Sequence, residues 1–420
     1  MDGSRPEDPR LTDRSAVNTF RESLRLLGTR RFGTFWFASL LSNLGTWAQQ
    51  VAEPWLLLTL GASSFVIGLD SFATNAPVLL LTLAGGVLAD RSDRRRVITG
   101  FQSVQMLCPT AIVVLLMRHA IQPWMVIALS VVVGVTDALS VPSFQSIVPS
   151  IVREEQIGTG LALNATQFNL SRILGPSLAG VLMSAVGATA CFVASAVSYV
   201  PFVGVALWIL PRRTPRPPES LAPPRGHILA GIREIARDGA ARGALLTVLT
   251  TSLLCTPLMT FAPVLVRDVF HGGAGQFSAA ITSFGAGGLL GASGLLAIPA
   301  TVDRGRLSDA FAFAYAVALI LTALSPWFWA MLPLLMIAGA AMTVSNTAAN
   351  TLLQARAAPH LLGRTVSIYM LAMRGGVSIG ALGTGAAVGL VGVRHALLAN
   401  GLLAVAGQFA ISQRWRKTMR

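Results

Sequence analysis

The sequence predicts an all-α integral membrane protein, with twelve transmembrane helices in two six-helix, pseudo-symmetric halves. Three observations carry this. The 420 residues are 53% hydrophobic and only 12% charged, with a mean hydropathy of +0.64. A soluble chain carries about 25% charged residues. Twelve long apolar runs follow one another, each near the roughly 20 residues a helix needs to cross a hydrocarbon core. The basic residues, finally, gather between alternate runs.

Residues 1–31 form a polar tail with seven arginines and five acids, too charged for a signal peptide. The runs then lie near 32–60, 65–89, 97–117, 123–148, 158–185, 190–210, 243–266, 277–299, 307–325, 328–350, 363–390 and 395–413. Residues 32–210 are the first half and 243–413 the second. Between them, 211–242 is a cytoplasmic linker rich in proline and arginine. In its last piece Ile228, Ile232, Ile235 and Ala236 share one helical face, opposite Arg233, Glu234 and Arg237, which suits an amphipathic helix on the membrane surface. A basic tail, 414–420, closes the chain.

Charge sets the topology. Of 32 Lys and Arg, only Arg172 and Arg374 fall deep inside runs, Arg364 standing at the very start of the eleventh and counted with the loop before it. With the amino terminus inside, Arg118, Arg267 and Arg394 fall on outer loops and 27 remain on the cytoplasmic side. Cationic loops resist translocation, so both termini are expected in the cytoplasm. The net charge of +14 is then a topology device suited to anionic membrane lipids, and poor evidence for nucleic acid as a partner. Cys108, Cys191 and Cys255 all lie in apolar runs and imply no disulfide framework. No His/Cys cluster suggests a metal, and no Ser/His/Asp arrangement a catalytic residue. No G-x-x-x-x-G-K-[ST] segment offers a site for ATP. A proton gradient is the expected energy source, with no bound cofactor, and the chain is not expected to be an enzyme.

Ionisable groups inside spans are costly and point to function or to a partner. Asn43, Thr46, Gln50 and Glu53 recur at spacings of 3, 4 and 3, on one helical face. Such a face must meet protein or a water-filled cavity. Glu53 is the first candidate proton carrier, against a reading as a hydrogen-bonded structural glutamate. Asp137, mid-span, either carries protons or pairs with Arg172 or Arg374. Asp70 lies near the outer end of its run, where water is expected to reach it. Asn43, Thr46, Gln50, Asn164, Gln167, Arg172, Asn346, Asn350 and Arg374 are candidate cavity walls, with Trp47, Trp55 and Phe168 as apolar contacts.

Between the second and third runs stands Gly86-Val87-Leu88-Ala89-Asp90-Arg91-Ser92-Asp93-Arg94-Arg95. It resembles the helix 2–3 loop of the major facilitator superfamily, approximately G-x-L-A-D-R-x-G-R-R, with Asp93 in place of a glycine. The resemblance implies a gating loop that includes Gly86, Asp90, Arg91, Arg94 and Arg95. Asp90-Arg91 is echoed by Asp303-Arg304 after the eighth run, and Arg172 by Arg374, as an internal duplication would give. Gly175-Pro176-Ser177-Leu178-Ala179-Gly180 resembles the motif of the antiporter branches, with Ala179 for a glycine. Gly175, Pro176, Ala179 and Gly180 serve helix packing in that reading. With Asn43-Leu44-Gly45-Thr46-Trp47 and Gly363-Arg364-Thr365-Val366-Ser367, the chain resembles the enterobactin-exporter-like group. It lacks the facilitator arginine of span 4, holding Val131-Val132-Val133 there, so no proton relay that uses that arginine carries over.

The resemblance implies a secondary transporter of the cell inner membrane. It would export a small amphipathic molecule, such as a siderophore, antibiotic or drug, by proton antiport, and work as a monomer. Uptake by symport or facilitated diffusion is the alternative on the same fold. A receptor or lipid-handling scaffold is the alternative of another class.

Overall fold

The computed structural model describes residues 22–145, 147–210, 233–299, 301–357 and 362–418. Most of the amino-terminal tail and the linker stretch 211–232, with Ile228 and Ile232, lie outside the described residues. Among those described, twelve long helical rods follow one another: α1 (Phe32–Thr59), α2 (Ser64–Arg91), α3 (Arg94–Met117), α4 (Pro123–Gln145), α5 (Ile157–Ala185) and α6 (Ala188–Ile209). After the linker come α7 (Gly239–Val269), α8 (Ala274–Ala297), α9 (Arg304–Leu324), α10 (Phe328–Arg356), α11 (Leu362–Val391) and α12 (Val393–Thr418).

Nine of these are long and apolar enough to cross a membrane, among the described residues. The other three are α1, α5 and α8, with 28, 29 and 24 residues. All are long enough to span; α1 and α5 carry more polar residues, whereas α8 holds no charged residue. All three pack across the boundary between halves, α1 against α7 and α5 against α8. Protein shelters that surface, so it tolerates polarity that lipid would not.

Within the first half α2 packs on α4, α1 on α5 and α6, and α3 on α4 and α6; the second half repeats this, with α8 on α10 and α9 on α10 and α12. Between halves the seams are α2–α11, α5–α8 and α1–α7. Five short turns, 60–63, 118–122, 186–187, 270–273 and 325–327, share one end of the bundle with the turn at Gly392. This is called the far end below. The 92–93, 152–156 and 301–303 loops lie at the other, arginine-rich end. Gly187 (φ 101°) and Gly392 (φ 80°) turn the chain between α5 and α6 and between α11 and α12. Both take the left-handed conformation that glycine adopts without strain, at equivalent places in the two halves.

The predicted run boundaries mostly fall within a few residues of the observed helices, and the larger differences have a physical cause. Helices outrun their apolar stretches at the arginine-rich end because charge does not stop a helix, whereas a cap does. Asp93 accepts from the Arg95 amide at 2.9 Å and starts α3. Asp303 accepts from the Gly305 amide at 2.8 Å and starts α9. Asp238 accepts from the Ala240 amide at 2.9 Å and starts α7, four residues before its apolar run.

These caps correct the repeat alignment. The counterpart of Asp303-Arg304-Gly305-Arg306 is Asp93-Arg94-Arg95-Arg96, not Asp90-Arg91. Gly86, Asp90 and Arg91, expected in the loop, lie within α2, which runs to Arg91. Only Ser92 and Asp93 remain between α2 and α3. The side chains of Asp90, Arg91 and Arg94 lie outside the described residues.

Two features shape the second half. In α7, π-helical turns at Thr251–Cys255 and Leu265–Val269 flank a segment holding Pro257 and Pro263. Proline lacks the amide that would close the α-helical ladder. The Tyr315 hydroxyl donates to the Cys255 carbonyl at 3.1 Å, filling one acceptor in this irregular stretch. Of the amphipathic piece, residues 233–237 are helical; Ile235 is buried against Ala241, Ala244, Ile368 and Tyr369, while Ala236 is exposed. That segment therefore packs on the second half through Ile235.

Candidate functional site

The halves meet closely from the midplane to the far end. Gly180 on α5 lies against Ser278 and Thr282 of α8, and Gly285 of α8 lies against Ser177 of α5. A methyl group on Gly180 would come within 2.8 Å of the Ser278 carbonyl oxygen. Gly68 of α2 faces Ala381 of α11, and Gly385 of α11 faces Ser64 of α2. The sequence placed Gly175, Pro176, Ala179 and Gly180 in helix packing, and the contacts divide them. Gly175 admits Trp47 of α1 within the first half, whereas Gly180 admits α8 from the second. Ala179 is fully buried.

Aromatic stacking and a charged hydrogen bond close the far end. The Trp55 and Phe277 rings stack at 5.1 Å with 9° between planes. Arg267 donates from Nη1 to the Leu58 carbonyl at 2.8 Å. Trp47 and Phe168, expected with Trp55 on a cavity wall, meet edge-on at 6.5 Å on α1 and α5.

Nearer the arginine-rich end, α4 and α11 meet through charge. Arg374 Nη1 lies 2.8 Å from Asp137 Oδ2, so Arg374, not Arg172, is the Asp137 partner. Arg172 on α5 instead points Nη1 at the Met373 sulfur, 3.8 Å away, with the buried Tyr369 hydroxyl close by. Tyr369 in turn donates to the Asn346 carbonyl at 3.5 Å. Asn346 is 6% exposed, and its side-chain oxygen has no hydrogen-bond partner. Arg172, Phe284, Gly288, Met342 and Thr343 line a water-sized pocket between α5, α8 and α10.

A second polar centre lies wholly within the first half. Gln49 donates to Glu53 Oε1 at 2.8 Å, and Ser195 of α6 donates to Gln49 at 2.8 Å. Ser130 of α4 donates to Asp70 Oδ1 at 2.6 Å. Thr46 and Tyr199 share a hydrogen bond of 2.9 Å. A water-sized pocket among Thr46, Gln49, Gln50, Glu53, Thr74, Ser130 and Tyr199 joins these groups. Glu53 is 6% exposed and Asp70 3%, near enough for the charge on one to act on the other.

One sequence reading changes here. Asp70 is buried rather than open to water, with Ser130 of α4 on its carboxylate. Of the two surroundings open to the polar face of α1, Glu53 meets protein, turned toward α2, α4 and α6. Asn43, Gln50 and Asn164 are half-buried. Gln167 is buried, with its amide on Ser171 at 3.3 Å, so it is a packing group. Asn350 accepts from Gln354 at 3.0 Å.

The sequence reading passed over Gln49, Ser130, Ser195, Tyr199, Tyr369 and Met373. Two signals pointed to some of them. Gln49 and Glu53 stand four residues apart, as side chains that touch on a helix do. Ser195, Ser198 and Tyr199 form a polar stripe at spacings of 3 and 1 on α6.

Two helical halves with a seam of small residues and charges at the midplane are the architecture of a membrane transporter of the major facilitator type. The chain matches the transmembrane secretion effector family over residues 23–418 and belongs to it. It is 27% identical over 259 residues to a staphyloferrin A transporter of Staphylococcus aureus, covering 61% of this chain and 64% of that one. It is 23% identical to macrolide efflux protein A of Streptococcus pyogenes, covering 89% and 93%. The multidrug efflux pump Tap of Mycobacterium tuberculosis is 24% identical, covering 79% and 81%.

Among solved structures, the nucleoside transporter NupG superposes with a TM-score of 0.69 at 11% identity, covering 92% of this chain and 99% of that one. A bacterial homologue of the human lysosomal transporter Spinster, inward-facing and unoccupied, superposes with a TM-score of 0.63 at 18% identity, covering 93% and 99%. These two likenesses speak to the fold.

Proposed function

We propose that this protein exports a small amphipathic molecule from the cytoplasm across the inner membrane, in exchange for protons, as a monomer with all twelve rods spanning. The observation that carries export is the kinship with efflux proteins over 89% of the chain. The Gly-Pro segment of α5 supports the same direction. The 27-to-3 cation bias puts the arginine-rich end and both termini in the cytoplasm. The closed far end is then the outer gate, and the described state is one shut to the outside. Drug-sized ligands occupy roughly 300–1,000 Å³, so the water-sized pocket at Arg172 accepts substrate only when the halves part.

Exchange for protons rests on Glu53 and Asp70. Both are buried, both are held by neutral donors, and among the described residues neither has a cationic partner. A carboxyl so placed costs least when it carries a proton, and it can release that proton when its surroundings open to water. Asp137 has Arg374 and needs no proton. Coupling in this reading joins a proton site inside the first half to a substrate path between halves. Both use α1, which packs on α5 and α6 in the first half and on α7 in the second.

The test is accumulation of labelled macrolide, siderophore and dye substrates in cells that express the protein, with and without an uncoupler. Export lowers accumulation, and the uncoupler restores it. Accumulation that rises on expression would reverse the direction. Export unchanged by the uncoupler would remove the proton.

A further inference from the structure

We infer that Arg172 is the substrate-recognition group and that the exported molecule carries a carboxylate. This names the substrate class of the export reading and rests on it. A guanidinium within a span needs an anion or a backbone carbonyl, and among the described residues Arg172 has neither. Among the described residues the ion pairs are Arg267–Asp268, Arg306–Asp303, Arg356–Asp238 and Arg374–Asp137. The Arg172 neighbours are a thioether at 3.8 Å and a phenol hydroxyl, both neutral, and the sulfur is a weak acceptor. Asp137 and Arg374 cancel each other, so among the described residues the place where α4, α5, α10 and α11 approach carries one net positive charge.

That charge lies on the boundary between halves, as a substrate group that enters by separation of the halves requires. Arg172 belongs to the first half and reaches Met373 and Tyr369 of the second. Its pocket continues onto Phe284, Met342 and Thr343, an apolar wall with one hydroxyl. A second, independent observation lies on α10. Asn346, 94% buried by its 6% exposure, has a side-chain oxygen with no donor, and its backbone carbonyl accepts from Tyr369, the neighbour of Arg172. An occupant that satisfies both groups offers an anion to Arg172 and an N–H or O–H to Asn346, with apolar body against Phe284 and Met342. A single guanidinium binds a planar carboxylate through two parallel hydrogen bonds, and one net charge matches a monoanion.

The experiment is equilibrium binding of matched probes to the full chain in nanodiscs at neutral pH. Phenylbutyrate and naphthoate are compared with phenylbutylamine and naphthylmethylamine, which share their apolar parts and reverse the charge. Each acid is expected to bind at least tenfold more tightly than its amine. Arg172→Gln should weaken acid binding about 10- to 100-fold and leave amine binding in place. Arg172→Lys should keep part of the acid preference. Amines binding as tightly as acids, no acid binding, or an acid preference that survives Arg172→Gln each overturns the assignment. Amine binding that disappears in Asp137→Asn overturns it too, by making the site a cation site.

Efflux of ethidium and of phenylbutyrate from expressing cells separates the two readings. Ethidium efflux independent of Arg172, without acid binding, leaves export standing and removes the carboxylate site. Arg172-dependent acid binding, with neither compound moved outward, leaves the site standing and removes export.

Discussion

Asp137 of α4 and Arg374 of α11 lie 2.8 Å apart, on opposite sides of the boundary between the two halves. Their side chains are 31% and 23% exposed, so the pair is neither a screened surface contact nor a fully desolvated one. Its worth falls between the two cases, at roughly 1–2 kcal/mol. It also faces a path that must open and shut, which makes it a clasp between halves as well as a stabilising contact.

Asp137→Asn and Arg374→Gln should therefore each lower the melting temperature of the purified protein by a few degrees and favour separation of the arginine-rich end. The reversed pair Asp137→Arg with Arg374→Asp should recover much of that loss. Spin labels on α4 and α11 report the separation. Single variants with wild-type melting and label distances would show that the contact does not hold the halves.

For Glu53 the expected result is a split between binding and coupling. Glu53→Gln keeps the shape and the Gln49 contact while fixing the neutral form. It should bind substrate normally yet lose transport driven by a pH gradient in everted vesicles, and Asp70→Asn should impair the same step. Asp137→Asn is the comparison, because its defect should be in stability instead. Gradient-driven transport at the parental rate in Glu53→Gln would move proton coupling elsewhere.

Trp55 stacks on Phe277 at the closed far end. An aromatic pair contributes about 0.5–1.5 kcal/mol beyond its burial. Trp55→Ala should raise the population open at the far end by roughly tenfold. Faster thiol labelling of a cysteine placed at Ser278, with Cys108, Cys191 and Cys255 replaced by alanine, measures this. Unchanged labelling would mean that the α2–α11 and α5–α8 seams close the gate without the stack.

Gly180 leaves no room for a side chain against the Ser278 carbonyl and Thr282. Gly180→Leu should insert and fold, because its clash lies between halves and not within one. It should hold the far end apart and reduce transport at least tenfold. Gly100, which has nothing within 4 Å of an added methyl, is the control, and Gly100→Ala should transport normally. A Gly180→Leu protein as active as the parent would show that the seam need not close this tightly.

Topology can be read independently, in the same cysteine-free background. Cysteines at Glu154 and at Arg118, both exposed, should label from the cytoplasmic and outer sides respectively. Labelling of the Glu154 position from outside intact cells would invert the arrangement.

The sequence by itself determined the rods, their order and their division into halves, because lipid enforces apolar runs of fixed length and the linker interrupts them visibly. It also singled out Arg172, Arg374, Asp137 and Glu53, because a charge in an apolar run stands out. Pairing was beyond it. Asp137 had two arginines to choose from, and only the approach of α11 to α4 selected Arg374 and left Arg172, among the described residues, without an anion. Asp70 read as wet from its place along α2, and only the lateral cover of Ser130 made it dry. The face of α1 that carries Glu53 was legible from spacing, but its direction was not: a helical period defines a stripe, and the neighbours it meets depend on the rotation of the whole helix. That rotation is set by contacts far apart in the chain, Gly175 on Trp47 within the first half and Trp55 on Phe277 between halves, which exist only once the helices are packed.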